Sequence, residues 1–137
     1  MRVVLDTFVL VAGILNPHGP PGRLVDLVFA GDLTLLADDR ILSEYDEVLR
    51  RPRFGFRNEE VAAVMAFIRL TAEGAPVPPL AVTLPDPDDL PFLEVAVAGE
   101  AGLLITGNQT HFAPMAGSHG VRVVSPREAL IALAGEA

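Results

Sequence analysis

Asp6 follows directly on the apolar run Val3-Val4-Leu5, Glu44 and Glu47 stand three apart in an amphipathic stretch, and Asp86, Asp88 and Asp89 cluster ahead of another apolar run. Carboxylates that converge from separate elements can hold a divalent cation. An ion held in that way neutralises a phosphate and activates a water, so the chemistry within reach is phosphodiester hydrolysis. Each acid also has a plainer use. Asp6 suits a helix cap, an acid on an amphipathic helix is ordinarily solvated, and Asp-Pro-Asp-Asp is a common helix entry. The two uses are compatible, because a capping aspartate can still offer an oxygen to a metal.

Composition narrows the ligand set. The 137 residues contain no cysteine, which excludes disulfides and thiolate sites and leaves a metal to oxygen donors or to His18, His111 and His119. Oxygen donors point to Mg2+ or Mn2+. His111 lies near Asn108 and reads as an incidental loop histidine or a phosphate contact, while His18 and His119 carry no metal-site spacing. A net charge of -8 argues against a protein that coats nucleic acid by overall attraction, so any RNA contact must be local. All ten basic residues are arginine, and Arg50, Arg51, Arg53 and Arg57 fall within eight positions. Their fork of donors suits phosphate, although the same cluster also describes a solvated helix end.

The elements that must position these residues follow from periodicity. Short aliphatic runs alternate with helical stretches over a length suited to one domain, 1–137, and this predicts an α/β domain with a mostly parallel sheet. Strands are expected over Arg2 to Leu5, Leu33 to Ala37, Gly102 to Thr106 and Val121 to Val124. Helices are expected from Thr7, as a cap, to Leu15; from Arg23 to Ala30; and from Asp39 to Arg51, ended by Pro52. Further helices are expected from an Asn58 cap to Glu73, from Asp88 or Asp89 to Glu100, and from Pro126 to Ala134. The proline-rich Gly74 to Pro87 reads as an extended connector or at most an edge strand. Asp6 and Asn108 both stand at carboxyl ends of strands, where open α/β sheets bind ligands. No apolar run approaches the roughly 18 residues of a membrane span. The opening residues read as a strand rather than a leader, so a cytoplasmic, soluble protein is expected.

In order and setting these residues resemble the PIN-domain family, in particular its small bacterial single-domain branch that includes VapC-like toxins of toxin-antitoxin pairs. The resemblance rests on Val3-Val4-Leu5-Asp6-Thr7, Ile41-Leu42-Ser43-Glu44-Tyr45 and Val48-Leu49-Arg50-Arg51-Pro52-Arg53-Phe54. It continues in Asp86-Pro87-Asp88-Asp89, Phe92-Leu93-Glu94 and Leu104-Ile105-Thr106-Gly107. It implies a three-layer α/β/α domain with a sheet of four to five strands. It also implies Asp6, Glu44 and Asp89 as metal-binding catalytic acids, with Thr7 and Thr106 as hydroxyl neighbours that orient them. The implied activity is a Mg2+- or Mn2+-dependent ribonuclease acting on single-stranded RNA, with Arg50, Arg51 or Arg53 guiding the backbone. The implied partners are a cognate antitoxin and a second copy of the chain.

Two positions depart from the family pattern. Phe8 stands where Asn is common after Asp-Thr, and it reads as core packing of the first helix or as an apolar ring beside Asp6. Asn108 stands where the family has Asp after Thr-Gly. An amide oxygen can ligate a metal but brings no charge, so metal affinity should fall; three acids can still hold one ion, and a second is disfavoured. Two alternatives follow: a PIN-fold protein that acts by RNA or protein binding, and a different α/β domain whose acids only cap helices. The stripe Val61, Val64, Met65 and Ile68 suits a dimer, an antitoxin helix or the core.

Overall fold

The computed structural model describes residues 1–74, 76–115 and 120–135; Ala75, in the proline-rich connector, and His119 lie outside them. Four parallel strands, β1 (Arg2–Leu5), β2 (Thr34–Leu35), β3 (Leu103–Ile105) and β4 (Val123–Val124), are ordered β2-β1-β3-β4. Among the described residues six helices flank them in an α/β/α arrangement: α1 (Thr7–Leu15), α2 (Pro20–Phe29), α3 (Asp39–Leu49), α4 (Asn58–Thr71), α5 (Leu90–Ala98) and α6 (Pro126–Gly135). Short 3-10 turns occupy Pro52–Phe54, Pro87–Asp89 and Gln109–Met115. None of the described helices is long and apolar enough to cross a membrane.

The chain leaves β1 for β2 on one side and returns for β3 on the other, so the strand order reverses between β1 and β3. A crevice must open there at the carboxyl ends. The register pairs Leu5 with Ile105, and the Asp6 amide donates to the Ile105 carbonyl at 2.9 Å, which sets Asp6 and Thr106 side by side at its mouth. Val3, Val4, Leu5, Leu104 and Ile105 have no exposed surface, as expected of parallel strands covered on both faces.

Several boundaries differ from expectation for local reasons. β2 is only two residues long, because the amide of Ala37 and the carbonyl of Leu35 turn to pair with Glu73 at the end of α4. α2 begins at Pro20, inside the segment read as a stop, since prolines that lack an amide hydrogen are well placed in a first turn. Thr7 and Asn58 are the first helical residues, with Asp6 and Arg57 at the cap positions. The Thr7 hydroxyl is directed away to α3, and at α4 the Glu60 carboxylate accepts from the Arg57 amide. The connector forms no strand among the described residues. Of the stripe, Val61, Met65 and Ile68 are buried in the core and pack α4, while Val64 is partly buried against it.

Two close approaches join the elements that frame the crevice. At Gly13 in α1 a side-chain carbon would lie 2.5 Å from Val25 Cγ2 and 2.7 Å from the Pro21 carbonyl oxygen, so α2 packs against bare backbone. Tyr45 in α3 is fully buried and its hydroxyl donates to the Leu5 carbonyl at 2.6 Å, which ties α3 to the end of β1. Tyr45→Phe is expected to destabilise the fold by about 1–3 kcal/mol through loss of a buried donor. Urea unfolding measures this; an unchanged midpoint would show that the bond contributes nothing.

Candidate metal centre

Asp6, Glu44, Asp86, Asp88 and Asp89 line one cleft of about 180 Å3 together with Phe8, Val48, Arg51, Asn108 and His111. The end of β1, α3 and the turn before α5 each contribute acids, so the convergence is tertiary. Asp6 is 7 % exposed, and its side chain does not cap α1. Its Oδ2 accepts the Thr106 hydroxyl at 2.7 Å, while the Asn108 amide donates to Thr106 Oγ1 at 3.0 Å. With that lone pair occupied, the threonine proton points at Asp6, so Asn108 fixes the carboxylate through its backbone whatever its side chain does. The Thr7 hydroxyl donates to Glu44 Oε2. Glu44 therefore faces the cleft, whereas Glu47 faces solvent and pairs with Arg51 at 3.0 Å.

Asp86 Oδ1 accepts the Asp88 amide at 3.0 Å, as a turn cap, and the residue also lines the cleft. His111 has a partner that its loop setting does not disclose, for Nδ1 lies 3.0 Å from Asp89 Oδ2. The 3-10 turn that follows Asn108 brings it there, with the His111 amide bonded to the Asn108 carbonyl. Among the described residues, Asp86, Asp89 and His111 are the group whose ligand atoms all lie within 4.8 Å of one another. Asp6, Glu44 and Asp89 share the cleft without closing to that spacing, and Asn108 lines it as an exposed amide.

Phe8 is not core packing. It is 47 % exposed at the lip of the cleft, and its neighbours Val9, Leu10 and Val11 take the buried positions instead. Of the arginines singled out, Arg51 lines the cleft; Arg50 is drawn to Asp46 and Asn58, and Arg57 to Glu60. Arg53 lies over the rings of Phe8 and Phe54, at 5.9 and 4.7 Å from their centroids.

Glu94, to which the sequence assigns no role, proves structural. It lies in α5, is 4 % exposed and accepts from Arg40 Nη1 and the Leu80 amide, each at 2.7 Å. It pins the proline-rich connector to the helix that carries Asp89 at its start.

The acids load the cleft with charge that the protein only partly offsets. Burial first, then the Asp6 and Asp88 charges, raise the Glu44 pKa against the lowering bond from Thr7. Burial and the Asp6 charge raise Asp89, against the lowering effect of His111. Among the described residues Arg51 is the one permanent cation lining the cleft, and Glu47 already engages it. A donor set of carboxylate oxygens, an amide oxygen and one imidazole fits a hard divalent ion such as Mg2+ or Mn2+.

Comparison with known proteins places the fold. A family model described as a PIN domain matches residues 2–110. The chain is 29 % identical over 113 residues to the uncharacterized protein MJ1680 of Methanocaldococcus jannaschii, across 80 % of this chain and 72 % of that protein. Its fold is similar to a chain in the crystal structure of VapBC2 from Rickettsia felis bound to a DNA fragment from their promoter. The TM-score is 0.57 at 15 % identity, over 91 % of this chain and 98 % of that one.

The raised carboxyls couple the stability of the metal-free protein to pH. Protonated Glu44 and Asp89 favour the native state, and that contribution is full below their ordinary values of 4.5 and 3.8 and lost as pH rises through the raised native values. In chelator, Glu44→Gln and Asp89→Asn should match the parent's unfolding midpoint at acid pH and exceed it at neutral pH. A parent as stable as both variants at neutral pH would contradict the sign.

Proposed function

This chain belongs to the PIN-domain family, and on that premise we propose that it is a Mg2+- or Mn2+-dependent ribonuclease, the toxin of a toxin-antitoxin pair. The observation that carries the reading is the convergence of Asp6, Glu44 and Asp89 on one cleft, each oriented by a neighbour: Thr106, Thr7 and His111. Asp6, Glu44 and Asp89 would hold the ion, with Asp86 and His111 as further donors beside Asp89. A bound ion supplies neutralisation of the phosphate and an activated water.

The chain's own residues prepare that chemistry. Hydrogen bonds from Thr106 and Thr7 fix the carboxylates of Asp6 and Glu44, so little reorganisation remains when a substrate arrives. His111 holds Asp89 and presents an imidazole ring at the cleft. Asn108 contributes an amide where a fourth acid would stand, so fewer charges hold a second ion, and this favours one-ion chemistry.

The toxin reading draws support from the fold shared with a chain of the VapBC2 complex, and it brings with it a cognate antitoxin and a homodimer as proposed partners. Asn108 is also the observation that favours a second reading, a PIN-fold protein with little catalysis that works by binding.

One assay decides between them. In Mn2+, the native chain should cleave unstructured RNA, Asp6→Asn should lose at least about 100-fold in rate, and Asn108→Asp should cleave faster than the native chain. Cleavage that survives Asp6→Asn would sink the mechanism. Absence of cleavage in the native chain together with its appearance in Asn108→Asp would establish the binding reading.

A further inference from the structure

Phe8 and Arg53 have no task in the chemistry described above, yet Phe8 stands at the lip of the acidic cleft and Arg53 lies over its ring. A phenylalanine on the first turn of a helix otherwise given to the core is costly to leave 47 % exposed. Its ring meets the Arg53 guanidinium at 5.9 Å, and that guanidinium lies 4.7 Å from the centroid of Phe54. Phe54 stacks on Phe56 with 25° between their planes, and both pack against the core, so the arrangement has a rigid foot.

Charge singles out Arg53 further. Arg50, Arg51 and Arg57 each pair with an acid, Asp46, Glu47 and Glu60, whereas Arg53 makes no ion pair among the described residues. A ring with open surface and an arginine not engaged by an acid, beside a site built for a phosphodiester, match the two parts of a nucleotide. Its base offers a π-face and its phosphate a charge.

We propose that Phe8 and Arg53 form a platform on which one unpaired nucleotide docks, the base stacking on Phe8 and the adjoining phosphate meeting Arg53. This restricts the substrate to single strands or loops. The proposal rests on the nuclease reading for the identity of the cleft, and it adds the residues that select unpaired nucleic acid. A base inside a duplex has its faces covered by neighbouring bases and cannot reach the ring without leaving the stack. Stacking reads every base alike, so the platform selects strandedness rather than sequence.

The chain contains no tryptophan, so Phe8→Trp places a single indole fluorophore at the lip. Binding is read in calcium by emission and anisotropy, with a short single-stranded RNA, the same strand as DNA, an abasic strand of equal length and a duplex. Single-strand RNA or DNA should quench the indole, and comparing the two shows which sugar the site prefers. The abasic strand and the duplex should not quench it. Phe8→Ala should weaken single-strand binding about five- to one-hundred-fold. Arg53→Gln should flatten the salt dependence of log K by roughly 0.7, the loss of one phosphate contact.

Single-strand binding that leaves the indole unquenched overturns the proposal. So does a Phe8→Ala variant that binds single strands as the parent does, or one that changes only its oligomeric state. Hydrolysis followed in parallel in Mn2+ separates the two readings. Cleavage retained with equal rates on single strand and duplex removes the platform and leaves the nuclease. Quenching without cleavage leaves the platform and removes the nuclease.

Discussion

Mutual repulsion among carboxylates at the carboxyl ends of β1 and β3 is the constraint that the rest of this molecule answers to. Five acids line one cleft, two of them have pKa values raised chiefly by burial, and the permanent cation beside them is already engaged by Glu47. Left to solution forces, such groups would separate or protonate. They stay together because the backbone leaves them no choice: Asp6 stands at the last pairing of β1 with β3, and its amide is committed to Ile105. The energy that holds the acids close comes from the apolar strands beneath them.

The supports radiate from that point. α3 is joined to the end of β1 by the Tyr45 hydroxyl on the Leu5 carbonyl and to the start of α1 by Thr7 on Glu44, so a movement of the helix would disturb both sides of the cleft together. On the other side Glu94 fastens the connector to α5 and thereby steadies the turn that carries Asp86, Asp88 and Asp89. Among the described residues no buried side-chain nitrogen or oxygen lacks a partner. Polar groups around the site are thus committed to holding its shape, and the ligand oxygens are what remain available for a cation.

Much of this is legible in the sequence, and what is not legible there has physical causes. The hydrophobic runs mark all four strands and the helices between them, since a parallel strand buried on both faces is apolar throughout. Asp6 stands out because a charge at the end of such a run is expensive unless something needs it. Boundaries are less secure where pairing with distant residues decides them, as with β2, which Glu73 cuts short. His111 looks isolated in the sequence because its partner is 22 residues away and is met only through the turn after Asn108. Phe8 reads as core for a related reason. Helical spacing identifies a face, but which residues of the first turn overhang the cleft depends on how α1 leaves the sheet. The role of Glu94 carries no local signal, because its partners lie on α3 and in a connector without regular structure.

A divalent ion would relieve the repulsion among these crowded acids, and a cation site is the use to which the whole arrangement is best suited. Thermal unfolding of the native chain in chelator and in rising Mn2+ tests this directly, since an ion that binds only the native state must raise the midpoint with its concentration. The midpoint should climb with Mn2+ in the native chain, and the increment should be lost in Asp6→Asn and Asp89→Asn, both of which should still unfold cooperatively in chelator. A native midpoint that does not move with Mn2+, or an equal rise in the two variants, would contradict it.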